Sequence, residues 1–308
     1  MAETNDFWEF YWETRLLPME NLGKRAAILA GSKLIRVMAE QTKRPLRLLE
    51  LGCGEGQVIG MLIDAHSQLC QVHESVGVDY NPRSLARARQ DYHGVRWIEA
   101  DFTDGDFLAG LGKFDIVLLV NAIHEVFSAT YSDELGEVDV PVAKQRVEQA
   151  LAGAAGLLAP GRCLILFDGL EPPGDPCQKL RLRFLTDQAR NDFEVFVRQY
   201  HPFRIVPHET GQSGTLELSR RDFTRYITKS IFLGKLLWAT ERFESYQYFT
   251  EEEFRAAFTR LGLKIAEMST LTVNGEKWRS RVEIDPPETE FPQEHILIVA
   301  RLSSPGIL

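Results

Sequence analysis

Five short apolar runs alternate with stretches of helical periodicity across residues 46–167, and this alternation constrains the fold more than any other feature of the chain. The runs are 46–51, 75–79, 95–99, 114–120 (FDIVLLV) and 163–167 (CLILF). Between them, 57–65, 82–92 and 142–158 read as helices, and Pro82 stands where a first-turn proline is favoured. Leu22, Ala26, Leu29 and Ile35 predict a further helix over 20–41. Strands apolar on both faces imply a parallel sheet covered on both sides. Right-handed crossovers then give a doubly wound α/β fold.

The alternation stops at Asp168 and resumes at Thr250, where TEEEF predicts a capping box between Thr250 and Glu253. Phe254, Phe258 and Leu261 form the apolar stripe of the helix that follows, and Gly262 ends it. Two more strands are predicted at 263–267 and 296–300, completing a seven-stranded, mostly parallel sheet. Residues 169–249 are therefore inserted into the domain formed by 46–168 and 250–308, with 1–45 as an N-terminal helical segment or lid. The insert holds 13 aromatic residues against 18 in the remaining 227, so it is no linker. Helical spacing of Phe193, Phe196, Val197 and Tyr200, and of Phe223, Tyr226, Ile227 and Ile231, predicts an aromatic-rich helical cap on the substrate side.

A formal charge of −9 argues against general affinity for nucleic acid, which needs a basic footprint. Cys53, Cys70, Cys163 and Cys177 show no zinc spacing and read as small buried thiols in a reducing compartment, so no metal is expected. The acidic, aromatic start MAETNDFWEFYWE lacks the pattern of a signal peptide, and no run approaches the ~18 apolar residues of a membrane span. The cytoplasm is the expected compartment; a homodimer is one option for the oligomeric state.

Three residue groups bear on a ligand. Glu50-Leu51-Gly52-Cys53-Gly54-Glu55-Gly56 follows the first strand. Its glycines let backbone pass close to a ligand and present amides at a helix N-terminus. The spacing is G-x-G-x-G rather than the dinucleotide G-x-G-x-x-G, and a carboxylate ahead of the loop would repel a pyrophosphate. Asp79 ends the second strand, where an acid accepts ribose hydroxyls of NAD and other nucleosides alike. Asp101-Phe102 follows the third, an acceptor and a ring where an adenine would lie.

Together these segments resemble the class I S-adenosylmethionine-dependent methyltransferase family, over 46–168 and 250–302. The resemblance implies a Rossmann-like fold and S-adenosyl-L-methionine as cofactor. It implies that Glu50, Gly52 and Gly54 line the methionine and ribose side, that Asp79 holds the ribose hydroxyls, that Asp101 and Phe102 bracket the adenine, and that Asn121 borders the sulfonium. Cys53 and Tyr80 complete the expected cofactor-binding set.

Methyl transfer is an in-line displacement that demands positioning and exclusion of water. A base is needed only where the nucleophile must lose a proton. Asn121-Ala122-Ile123-His124-Glu125-Val126 lacks the N/D-P-P-Y/F motif of amino-methylation on nucleic acid bases, and His124 is the candidate general base. Tyr200, His201, Trp238 and Tyr246 are candidate substrate contacts, with the cap's own small core as the alternative. Arg181, Arg183, Arg220, Arg221 and Arg225 read as a solvated basic face or as contacts for an anionic substrate. The leading expectation is a methyltransferase acting on a small molecule enclosed by the cap. The alternatives are a protein or RNA methyltransferase, a non-catalytic scaffold binding S-adenosylmethionine or S-adenosylhomocysteine, and an NAD-dependent oxidoreductase.

Overall fold

The computed structural model describes residues 21–211, 214–273 and 275–303. The aromatic N-terminal stretch expected as a lid lies outside them. Among the described residues, no helix is long and apolar enough to cross a membrane.

Strands β1 (Leu48–Leu51), β2 (Val76–Asp79) and β4 (Phe114–Val120) are buried along their whole length. Their apolar residues serve two cores at once. Ile116, Leu118 and Val120 of β4 face helices α1 (Leu22–Thr42) and α2 (Gln57–Ala65), while Val117 and Leu119 face the other side. The period of two follows from the pleat. Helix α3 (Pro82–Asp91) carries Pro82 in its first turn under an Asn81 cap. Strand β3 (Arg96–Glu99) is the charged, half-exposed edge, as an edge strand should be.

Short helices α4 (Gly105–Ala109) and α5 (Ile123–Ser128) flank β4 in sequence. A small hairpin, β5 (Tyr131–Ser132) and β6 (Glu137–Val138), precedes α6 (Val140–Gly156). Strand β7 (Leu158–Gly169) starts five residues earlier than the sequence suggests. Leu158 pairs with Phe114, the chain bulges around Pro160-Gly161, and pairing with Ile116 resumes at Cys163. The breaker pair marks a bulge here, not the space between helix and strand.

The insert adds β8 (Lys179–Phe184), α7 (Asp187–Gln199), β9 (His208–Glu209), β10 (Thr215–Ser219), α8 (Arg220–Lys229) and α9 (Trp238–Glu241). Helix α10 (Glu251–Arg260) then opens with the expected capping box of Thr250 and Glu253. Strand β11 (Leu263–Leu271), helix α11 (Gly275–Arg279), strand β12 (Val282–Asp285) and strand β13 (His295–Leu302) end the described chain.

The main sheet has the order β11-β13-β7-β4-β1-β2-β3. Its β13 runs antiparallel to both neighbours, and the β3-β2-β1-β4-β7 ladder is parallel. Strand order reverses between β1 and β4, so the crevice beyond their carboxyl ends is where such a sheet binds ligands.

The cap contains the expected helices and also a four-stranded antiparallel sheet, β12-β8-β10-β9. Leu180 and Leu182 of β8 point inward while Lys179 and Arg181 point out. β12, and Trp278 just before it, extend the cap beyond residue 249: Trp278 packs against Tyr226. The arginines read as a basic face are mostly paired within the cap. Arg181 lies 3.4 Å from Asp285, Arg183 pairs with Glu283, Arg221 lies 2.8 Å from Glu171 and Arg225 2.9 Å from Asp222. Of the four thiols, Cys177 is exposed rather than buried.

Candidate active site

The three loop glycines all adopt positive φ, +68°, +52° and +68° at Gly52, Gly54 and Gly56. A Cβ on Gly56 would overlap the Trp97 indole of β3, and one on Gly52 would fall 2.6 Å from the Ala122 Cβ. A Cβ on Gly54 would meet nothing within 4 Å. Two of the glycines thus answer to protein packing, and the middle one faces open space.

Carboxylates fasten this loop. Asp79 Oδ2 accepts the Gly54 N–H at 2.7 Å, and its Oδ1 accepts that of Asn81 at 2.8 Å. The Tyr80 amide acts on the same carboxylate, and three amide bonds still leave room on a group with about four acceptor sites. Glu50 is buried and accepts the Ile59 N–H at 3.0 Å. Desolvation pushes its pKa up to about 8, against the pull of that hydrogen bond and of Lys24. The buried Cys53 thiol is likewise pushed up, first by desolvation, so it is no nucleophile.

Beyond β3, Asp101 Oδ1 accepts from the backbone N–H and hydroxyl of Thr103 at 2.8 and 2.7 Å. Phe102 is buried beside the position a Gly52 Cβ would occupy, its Cε1 3.3 Å away. Asn121, at the end of β4, holds φ +54° with its N–H donating to Phe167 O at 2.8 Å. Its Oδ1 is buried and has no hydrogen-bond partner among the described residues. A strained backbone with an orphaned acceptor marks a place prepared for a donor.

Asp168, at the end of β7, is fully buried and organises the next turn. Its Oδ2 accepts the N–H groups of Ala122 and Ile123 at 3.0 and 2.8 Å, the start of α5. Its Oδ1 accepts from His124 Nδ1 at 2.8 Å. The second ring nitrogen of His124 lies 3.6 Å from Glu244 Oε2, and the ring stacks on Tyr246 at 3.7 Å. Burial works against the imidazolium, but Asp168 and Glu244 overcome it and raise the His124 pKa to about 10. Glu244 in turn falls to about 2: Lys229 and His124 outweigh its desolvation. Lys229 Nζ, fully buried, lies 2.6 Å from Glu241 and 3.0 Å from Glu244.

The cap is pinned down here. The Ser245 N–H donates to Ser128 Oγ at 2.9 Å, and Tyr246 backbone occupies the space where Gly169 would carry a Cβ. Between cap and sheet lies a cavity of about 590 Å³. Tyr80, Asp101, Phe102 and Thr103 line one end. Glu125, Phe243 and Glu244 line the other, and Arg146, Gln149 and Ala150 of α6 contribute a further wall.

Residues 48–139, which span the glycine loop, Asp79, Asp101 and the turn after β4, match the family described as a methyltransferase domain. That stretch is what the chain shares with methyltransferase domains. Among solved structures it is similar to magnesium protoporphyrin IX methyltransferase from Synechocystis PCC 6803, at 14% identity over 97% of this chain and 94% of that one, with a TM-score of 0.47. It is similar to 1,6-didemethyltoxoflavin-N1-methyltransferase from Burkholderia thailandensis at 13% identity, over 97% and 86% of the two chains, with a TM-score of 0.46. A third likeness, at 17% identity over 90% and 92% of the two chains with a TM-score of 0.41, is to an amino pentose methyltransferase from Micromonospora echinaspora. No curated protein matches the chain.

Within the matched stretch, Tyr80, Asp101 and Phe102 reach the cavity wall. Glu50, Gly52, Cys53, Gly54, Asp79 and Asn121 form the strand ends and loop beside it. His124 sits behind Glu244 and is 2% exposed. With its proton held to about pH 10, it is not the free base expected of a lone histidine: two carboxylates flank it. The four cap residues divide. Tyr200 and Trp238 are buried against Phe196 and belong to the cap core. His201 is exposed and packs on Tyr131 and Phe243. Tyr246 backs His124. The sequence alone did not single out Glu125, Phe243, Arg146 or Gln149 as wall residues. Glu125 adjoins His124 in a segment already singled out, and Arg146, Gln149 and Ala150 share an i, i+3, i+4 face of α6.

Proposed function

We propose that the protein transfers a methyl group from S-adenosylmethionine to a small molecule held between the carboxyl edge of the sheet and the cap. The observation that carries this reading is the single cavity that joins Tyr80, Asp101 and Phe102 to Glu125, Phe243 and Glu244. A cavity shared by these two groups of residues supports a reaction that brings two substrates together. The residues present fit the cofactor. Gly54 leaves room for close backbone approach, Asp79 and Asp101 retain free acceptor positions, and the Asn121 Oδ1 lacks a donor.

When bound, the sulfonium supplies an electrophilic methyl group. The chain's part is to orient and to exclude water. Asp79 holds the ribose hydroxyls, Asp101 and Phe102 hold the adenine, and Asn121 accepts from the methionine end. We assign His124 the role of a fixed cation: it positions Glu244 at the cavity wall, and base action by its ring would require Glu244 to leave Nε2. The cap closes the acceptor side. The chain's net charge of −9 favours a small acceptor over nucleic acid. Buried, unpaired thiols at Cys53, Cys70 and Cys163 suit the cytoplasm.

Incubation with methyl-labelled S-adenosylmethionine and pooled small-molecule nucleophiles tests the reading. Label in a small-molecule product together with stoichiometric S-adenosylhomocysteine is expected. Label found only in added RNA or protein would refute it.

A further inference from the structure

Glu125 differs from every other carboxylate around the cavity. Glu244 is neutralised by Lys229 and His124, and Asp101 accepts twice from Thr103. The Glu125 carboxylate makes no hydrogen bond or ion pair among the described residues, yet it forms part of the cavity wall. Water reaches it from that side, while protein crowds it elsewhere and desolvation drives its pKa up to about 8.

The charge around it does not balance. His124 of the same helix, Glu244 and Glu241 of the cap, and Asp79 at the end of β2 all act on Glu125. Once Glu125 is ionised, Glu125, Asp168, Glu241 and Glu244 make four carboxylates against two cations, His124 and Lys229. Among the wall residues, Asp101, Glu125 and Glu244 stand against one cation, Arg146. A negative surplus facing a half-open cavity, with the Phe243 ring beside it, is a setting that a positively charged occupant completes.

We propose that the methyl acceptor is a protonated alkyl amine, and that Glu125 holds its ammonium group and takes its proton; this rests on the methyltransferase reading above. A proton passes from the ammonium nitrogen to a Glu125 oxygen and frees the nitrogen lone pair. That lone pair forms the new N–C bond as the methyl–sulfur bond breaks, the electron pair of the broken bond going to sulfur to leave a neutral thioether. The product is the methylated ammonium, and Glu125 returns its proton to water. The raised affinity of Glu125 for protons makes it a better acceptor than an ordinary glutamate, closer to the amine it must relieve.

The test is calorimetric, on full-length protein saturated with S-adenosylhomocysteine so that no turnover occurs. The probes are 2-phenylethylamine, the isosteric 2-phenylethanol and 3-phenylpropionate. The amine is expected to bind at least tenfold more tightly than the alcohol, and the acid not at all. Amine affinity should rise as pH climbs toward about 8, where Glu125 ionises. Glu125→Gln should erase the preference for the amine, and the surface control Glu134→Gln should keep it. Equal affinities, a preference for the acid, binding of none of the three, or an unchanged preference in Glu125→Gln overturns the proposal. Failure of S-adenosylhomocysteine itself to titrate would instead overturn the methyltransferase reading on which the proposal rests.

Discussion

His124 and Asp168 form a buried ion pair, Nδ1 to Oδ1 at 2.8 Å, in which the same aspartate also caps the helix that carries the histidine. One side chain therefore fixes both the start of α5 and the charge of its second residue. Asp168→Asn should destabilise the protein by about 3–5 kcal/mol, because it strands a buried imidazolium and weakens the cap together. Chemical denaturation of the variant checks this; a loss under about 1 kcal/mol would mean the pair is not what holds the turn.

The same pair makes stability depend on pH. The folded His124 pKa of about 10 lies above the unfolded value near 6.5, so its contribution is fully present below about pH 6.5 and is lost as pH rises toward 10. Glu244 behaves oppositely. Its folded pKa of about 2 lies below the ordinary 4.5, so its contribution is fully present above about pH 4.5 and fades as pH falls toward 2. Denaturation midpoints of wild type and His124→Gln should converge between pH 7 and 10. Parallel curves over that window would count against the assignment.

Gly54 and Gly56 separate ligand space from packing. Gly56→Ala drives a methyl group into Trp97 at φ +68° and should cost about 2–4 kcal/mol. Gly54→Ala meets open space and should cost only the ~1–2 kcal/mol of a left-handed alanine, yet it should weaken S-adenosylhomocysteine binding tenfold or more. Thermal unfolding with and without ligand distinguishes the two effects.

Asp79 joins loop and ligand. Asp79→Ala removes the acceptor of the Gly54 amide and should lower stability by about 1–2 kcal/mol. It should also lower cofactor affinity at least a hundredfold, as judged by equilibrium dialysis. Unchanged affinity would sink the ribose assignment.

Lys229 has no exposed surface and is held by Glu241 and Glu244. Lys229→Met leaves Glu241 without its cation and Glu244 with His124 alone. An unfolding penalty of about 3–5 kcal/mol is expected, partly relieved by adding Glu241→Gln.

The parallel sheet was legible because β1, β2 and β4 must be apolar on both faces, and the turn at Thr250 because a capping box is a local motif. The cap sheet was not. β8, KLRLRF, alternates apolar and basic residues with period two, but the aromatic spacing nearby spoke for helices and its arginines read as a surface face. What pairs them, Glu283 and Asp285, lies a hundred residues away. The glycine loop and Asp101-Phe102 announced themselves because backbone conformation and strand ends are local properties. The acceptor wall did not. Glu125, Arg146 and Glu244 come from α5, α6 and the end of the insert, and only the docking of cap on sheet brings them together.

Calorimetric titration of the purified protein with S-adenosylmethionine, S-adenosylhomocysteine and NAD in parallel tests the central claim most directly. Micromolar binding of the first two and none of NAD is expected, since the loop's G-x-G-x-G spacing departs from the dinucleotide G-x-G-x-x-G pattern. Binding of NAD in preference to either would contradict the account.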